Sequence, residues 1–130
     1  MLSDDKKTCL KLLVAMAWAD GRVAAEEMEV VEAMIDAFGA EPEEGDEIRK
    51  WAMKPRSFED VDTAGLIRSD AELVLQQATI LTFIDGEQSP EELELLEALR
   101  IKVGLDEGAA APILERATAF AHELLPVLKA

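Results

Sequence analysis

The chain has 130 residues, 49% of them hydrophobic, a single cysteine, and 28 acidic against 13 basic groups for a net charge of −15. That length and apolar content provide for one domain with a core of its own and speak against disorder. The charge disfavours nucleic acid and anionic lipid as partners, one cysteine excludes an internal disulfide, and no run approaches the roughly 18 uninterrupted apolar residues of a membrane span.

Helix formers dominate, and no stretch alternates as a half-buried strand would. A first helix is expected from about Asp4 to Ala19, with Leu10, Leu13, Val14, Ala17 and Trp18 on one buried face. Asp20-Gly21 stops it, glycine being the usual left-handed helix end. A second helix is expected from about Ala25 to Phe38, striped by Met28, Val31, Ile35 and Phe38 and closed by Gly39. A third, near Glu44 to Met53, ends before Pro55. Ser57 with Asp60 caps a short helix through Ile67, and Ser69 with Glu72 forms a capping box opening a long helix to Ile84. Leu73, Val74, Ile80, Leu81 and Ile84 are its core candidates. After Asp85-Gly86, the run Ser89-Pro90-Glu91-Glu92 starts a helix that ends at Gly104. The last helix begins near Pro112 and buries Ile113, Ala117, Phe120, Leu124 and Leu128. Lys6 and Lys7 before the run from Cys9 to Ala19 imitate an export signal. Asp4, Asp5 and Lys11 interrupt that pattern, and the same helix recurs inside the chain, so a cytoplasmic location is expected.

The recurrence has a fixed offset. Shifted by 65 residues, Leu10–Ala40 falls on Leu75–Leu105 without a gap, with nine identities in 31 positions. They include Asp20/Asp85, Gly21/Gly86, Glu26/Glu91, Glu27/Glu92, Glu32/Glu97 and Gly39/Gly104. Amphipathicity alone matches apolar positions, not an Asp-Gly stop, a Glu pair and a terminal glycine together. The expectation is therefore a single all-α domain over 1–130 with an internal duplication, repeat 1 about 10–40 and repeat 2 about 75–105. Two copies are too few for a solenoid, so they should close on each other as a pseudo-twofold bundle.

Each copy sets an aspartate at a helix end against two glutamates at the next helix start: Asp20 with Glu26 and Glu27, Asp85 with Glu91 and Glu92. Two readings fit. Either the aspartate accepts hydrogen bonds from turn amides and the glutamates sit where the helix dipole favours them, or the acids hold a hard cation. With Gly21 at the sixth place of an EF-hand loop, Val23 falls on the eighth and Glu27 on the twelfth, but Met16 and Trp18 occupy the first and third. A standard EF-hand is thereby excluded, and water or a second loop would have to complete the shell of Ca²⁺ or Mg²⁺.

Ala19-Asp20-Gly21-Arg22-Val23 with Glu27, and Ile84-Asp85-Gly86 with Glu92, resemble the TerB-like domain family, over about residues 8 to 128. That family includes bacterial tellurite-resistance proteins and the N-terminal region of a DnaJ-like co-chaperone. The resemblance implies a compact bundle of about seven helices in two halves. It also implies metal-chelating acids, which here are Asp20, Glu27, Asp85 and Glu92. The second copy departs from the pattern, with Gln88 where the first has Val23.

One basic cluster stands out in the acidic chain: Arg49, Lys50, Lys54 and Arg56 around Trp51. It reads either as a solvated helix end or as a patch for a protein partner. Cys9 is expected to be a buried, inert thiol, and His122, the only histidine, a structural one. The leading expectation is a non-enzymatic TerB-like module that binds a divalent cation, a protein partner or both in a stress-related pathway. The alternative is an interaction adaptor or co-chaperone-like module with no metal.

Overall fold

Asp4 and Asp5 precede an almost unbroken apolar run, and that run becomes the most enclosed helix of the protein. The computed structural model describes residues 4–18, 25–64, 66–83 and 90–128, the side chains of 25, 26 and 124–128 excepted. Among the described residues the chain forms six helices, one 3-10 turn and no strand. They are α1 (Asp4–Ala17), α2 (Ala25–Ala37), α3 (Pro42–Trp51), the turn Phe58–Asp60, α4 (Arg68–Leu81), α5 (Pro90–Lys102) and α6 (Glu107–Leu128). No helix is long and apolar enough to cross a membrane.

In α1 the acids sit at the positive end of the helix dipole, and the second half is buried on every side: Cys9, Leu10 and every residue from Leu12 to Ala17. The sequence predicts one buried stripe; Leu12, Ala15 and Met16 lie off it and are buried too, because α2, α3 and α4 all pack on this helix. Its counterpart α4 buries Ala71, Val74, Leu75 and Ala78 through Leu81 and carries α5 and α6. Each fully buried leucine, such as Leu10, Leu13 or Leu75, contributes roughly 1.5–3 kcal/mol.

The other boundaries follow local chemistry. The Glu44 carboxylate accepts the Glu41 amide (3.1 Å) and Pro42 takes the first position, so α3 opens two residues earlier than expected. The expected short helix through Ile67 does not form. Ser57 and Asp60 do pair across the turn, Ser57 N donating to Asp60 Oδ2 (2.9 Å), but Val61 is extended and Asp62 captures the Ala64 amide (2.9 Å). A carboxylate that bonds its own neighbouring backbone competes with helix propagation, and the described residues hold six helices where about seven were expected. Ser69 does not cap α4, whose first carbonyl acceptor is Ile67. Helix α6 starts at Glu107, not near Pro112, because Asp106 Oδ1 accepts the Ala109 amide (2.7 Å). Its buried face is Ala110, Ile113, Ala117 and Ala121, and Phe120, expected in the core, is half exposed. Three alanines let α6 approach α4 closely, which leaves the large ring at the edge.

The 65-residue offset extends beyond the segment that the sequence alone aligned. Helices α2 and α5 begin and end at equivalent residues, and α3 and α6 begin at the equivalent Pro42 and Glu107. Gly45/Ala110, Ile48/Ile113 and Ala52/Ala117 are buried in both copies. Gly39 (φ 74°) and Gly104 (φ 78°) are the two described glycines in the left-handed region. Each closes its helix alike: Ala40 N donates to Ile35 O (3.2 Å) and Leu105 N to Arg100 O (3.1 Å). No atom stands within 4 Å of a Cβ built at Gly104, so Gly104→Ala should cost only the backbone strain, about 1–2 kcal/mol. Urea denaturation should show a lower midpoint with an unchanged slope; an unchanged midpoint would contradict the strain argument.

Candidate functional site

The acidic loops are only partly within view. Asp20 and Asp85 lie outside the described residues, as do Gly21, Val23, Gly86 and Gln88. Glu27 and Glu92 are half-buried at equivalent positions in the first turns of α2 and α5, and both already take part in interactions within the protein. Among the described residues no three metal-ligating side chains converge.

The basic cluster is dispersed by its own contacts. Arg49 crosses from α3 to α2 and grips Glu32 with two bonds, Nε to Oε1 and Nη2 to Oε2, both 2.7 Å, and holds Asp46 at 3.0 Å. The guanidinium keeps the Glu32 carboxyl below its usual range, and its own proton is held more tightly in turn. A Cβ on Gly45 would lie 3.1 Å from the Arg49 guanidinium, so the glycine makes room for the bridge. Arg56 stacks on the Trp51 ring at 4.6 Å and donates to the Trp51 carbonyl, while Lys11 sits over the same ring at 5.7 Å. Trp51 is half-buried against the core, and Lys50 and Lys54 remain exposed. Five residues adjacent in sequence thus divide into a helix-to-helix clamp, an aromatic stack and two solvated lysines.

A buried polar group that the sequence reading did not single out joins α1 to α4. Asp70 is 2% exposed and pairs with Lys6 Nζ at 2.5 Å, and Lys6 also lies over the Phe38 ring. The hydrogen bond from Lys6 to Asp70 holds the ammonium proton more tightly than usual. Its signal in the sequence was weak: a single aspartate in a helix first turn, indistinguishable from an exposed dipole partner. Cys9 donates to the Asp70 carbonyl at 3.6 Å, and burial, with Asp70 beside it, pushes the thiol up to about 12. His122 meets Phe83 edge-on at 5.1 Å.

The two copies differ between their second and third helices. In copy one this seam is clamped by Glu32 and Arg49. In copy two Glu97 stands at the Glu32 position, but Leu114 replaces Arg49. Glu97 is instead held by Arg100 one turn along α5, whose Nη1 also donates to Leu105 O (2.7 Å). There α5 and α6 border a groove of about 540 Å³ floored by Thr79 and walled by Leu93, Leu96 and Leu114, with Glu97, Arg100 and Glu115 at its lip. Leu93 is 52% exposed and Ile101, further along α5, is 64% exposed.

No family model, no characterised protein and no solved structure matches this chain.

The raised Cys9 value carries a pH dependence with a definite sign. The folded state keeps the thiol protonated, so its contribution to stability is complete below the ordinary value of 9.0 and is lost as pH rises toward about 12. A thiol-specific disulfide reagent at pH 8 should therefore modify Cys9 only at the rate of global unfolding. Stoichiometric modification of the native protein within seconds would contradict this burial.

Proposed function

We propose that this chain is a non-enzymatic, cytoplasmic binding module on a TerB-like frame, two copies of a three-helix unit related by an approximate twofold, and that it acts through a protein partner. The observation that carries this reading is the groove of about 540 Å³ between α5 and α6, beside the exposed apolar residues Leu93 and Ile101. Exposed apolar surface adjoining a concave seam marks partner sites more often than scattered single residues do. The TerB resemblance adds the setting, a stress-related pathway such as tellurite resistance or a co-chaperone system, in which a small acidic module works by binding. Because Cys9 is buried, Ile101→Cys would introduce the one reactive thiol of the surface. A photo-crosslinker attached there should capture a discrete partner from extracts of the native cells, whereas one attached at Met53→Cys, also exposed, should not. Equal capture from both positions, or none from either, would count against the reading.

Cation binding is the second reading, favoured by Glu27 and Glu92 at equivalent places in the first turns of matching helices. With Asp20 and Asp85 they would supply two hard-oxygen ligands per loop, suited to Ca²⁺ or Mg²⁺, with water completing the shell. Calorimetric titration with Ca²⁺, Mg²⁺, Zn²⁺ and Mn²⁺ should give weak binding, lost in the double variant Asp20→Ala plus Asp85→Ala. Absence of heat, or heat that survives the double variant, would remove the metal from the account.

A further inference from the structure

The two copies act as each other's control, and the comparison says what kind of partner the groove takes. Besides the buried Ile35, whose place is taken by Arg100 in the groove lining, three positions at and beside the seam differ. Arg49 of copy one corresponds to Leu114, Lys50 to Glu115, and Asp36 to Ile101. The first change removes the group that clamps the seam. The second turns a cationic lip into an anionic one. The third replaces a carboxylate on the outer face with an exposed isoleucine. Glu32 is retained as Glu97, so the acid stays while its cross-helix partner is gone.

The result is an apolar trough bordered by Glu115 and by the Glu97–Arg100 pair, in a strongly acidic chain. Helix α5 shows this along its length. Leu96 and Leu99 face the core, yet Leu93 and Ile101 stand on the outer side, in a row with Glu94 and Glu97. A helix with apolar residues on both sides is built to be covered on both. The segment 90–123 carries eight acidic and three basic residues, and the Arg100 guanidinium is already committed to Glu97 and Leu105 O.

Resting on the partner-binding reading above, we infer that the α5–α6 groove receives a cationic amphipathic helix of another protein, its apolar stripe lying against Leu93, Leu96 and Leu114 and reaching Ile101 beyond the lining, and its Lys or Arg flanks against Glu94 and Glu115. Helix-in-groove recognition fits a trough walled by two helices, with anchors one turn apart. Charge selects the occupant. A second copy of this chain would bring another −15 against the acidic lip, whereas a basic helix is drawn to it. Phosphate-bearing ligands are disfavoured for the same reason.

The test uses the full chain and fluorescein-labelled 18-residue peptides in anisotropy titrations at physiological salt. One peptide places leucine at helical spacing with lysine elsewhere, one is a scramble of the same composition, and one keeps the leucine stripe with glutamate elsewhere. The Leu/Lys helix should bind at least tenfold more tightly than either of the others. Ile101→Asp and Leu114→Arg, which restore the residues of copy one, should each weaken it at least tenfold, and Met53→Asp by less than twofold. Ile101 is exposed, so Ile101→Asp keeps the test decisive if Leu114→Arg perturbs folding. Equal binding of the scramble, or unchanged binding to Ile101→Asp, would overturn the groove as the site. Tighter binding of the Leu/Glu helix, lost in Ile101→Asp, would overturn the cationic partner and leave partner binding intact. Self-association in sedimentation that Ile101→Asp abolishes would make a second copy the occupant. No binding by any peptide, together with no crosslinked partner from position 101, would remove both readings.

Discussion

Two helices must be buried against each other, and everything else in the fold is arranged around them. The second half of α1 is apolar on every side and has no face to give to solvent, while α4 keeps Ser69 and Gln76 exposed and buries Ala71, Val74, Leu75 and all of Ala78 to Leu81. Packing α1 on α4 hides one side of each, and the remaining sides are covered by α2 and α3 on one and by α5 and α6 on the other. The polar groups in this layer are satisfied without disturbing it. Thr79 bonds back to Leu75 O and Thr82 to Thr79 O within the helix, and Asp70 meets Lys6 at the edge where α1 still reaches solvent. A buried carboxylate without that ammonium would be strongly disfavoured, so the pair fixes which end of α4 lies beside which end of α1.

On this frame the two segments share the starts of their second and third helices at the 65-residue offset, while α3 stops at Trp51 and α6 runs on to Leu128. Equivalent glycines end α2 and α5, equivalent acids Glu41 and Asp106 precede α3 and α6, and equivalent small or apolar residues seat the third helix. One arginine changes the outcome. With Arg49 present, two 2.7 Å bonds to Glu32 tie the second helix to the third; with leucine there, Glu97 turns to its own helix and a trough opens. The groove thus lies where the second segment lacks the cross-helix contact that the first one has.

The candidate sites were legible to different degrees. The acidic loops are contiguous in sequence and were found there, but Asp20 and Asp85 fall outside the described residues, so their disposition around Glu27 and Glu92 is still a matter of sequence pattern. The basic cluster was legible as composition and not as arrangement, because the partner that claims Arg49 is 17 residues away on another helix. The groove was not legible at all. Its walls come from three helices, and Leu114 on a helical stripe reads as ordinary core until the spacing between α5 and α6 is known.

By itself the sequence determined the all-helical class, the course of most helices and the glycine ends of α2 and α5, because left-handed glycines and apolar periodicity act within a turn or two of the chain. It also determined the acidic character of the whole and the offset at which one half repeats the other. Only the tertiary structure decided that the second half of α1 would be enclosed on all sides, that Phe120 would lose its place in the core to alanines, that Asp70 would be buried on Lys6, and that of two equivalent seams one would carry the Arg49–Glu32 bridge and the other a groove. Each of these depends on how near two helices come, a distance set by side chains far apart in the chain.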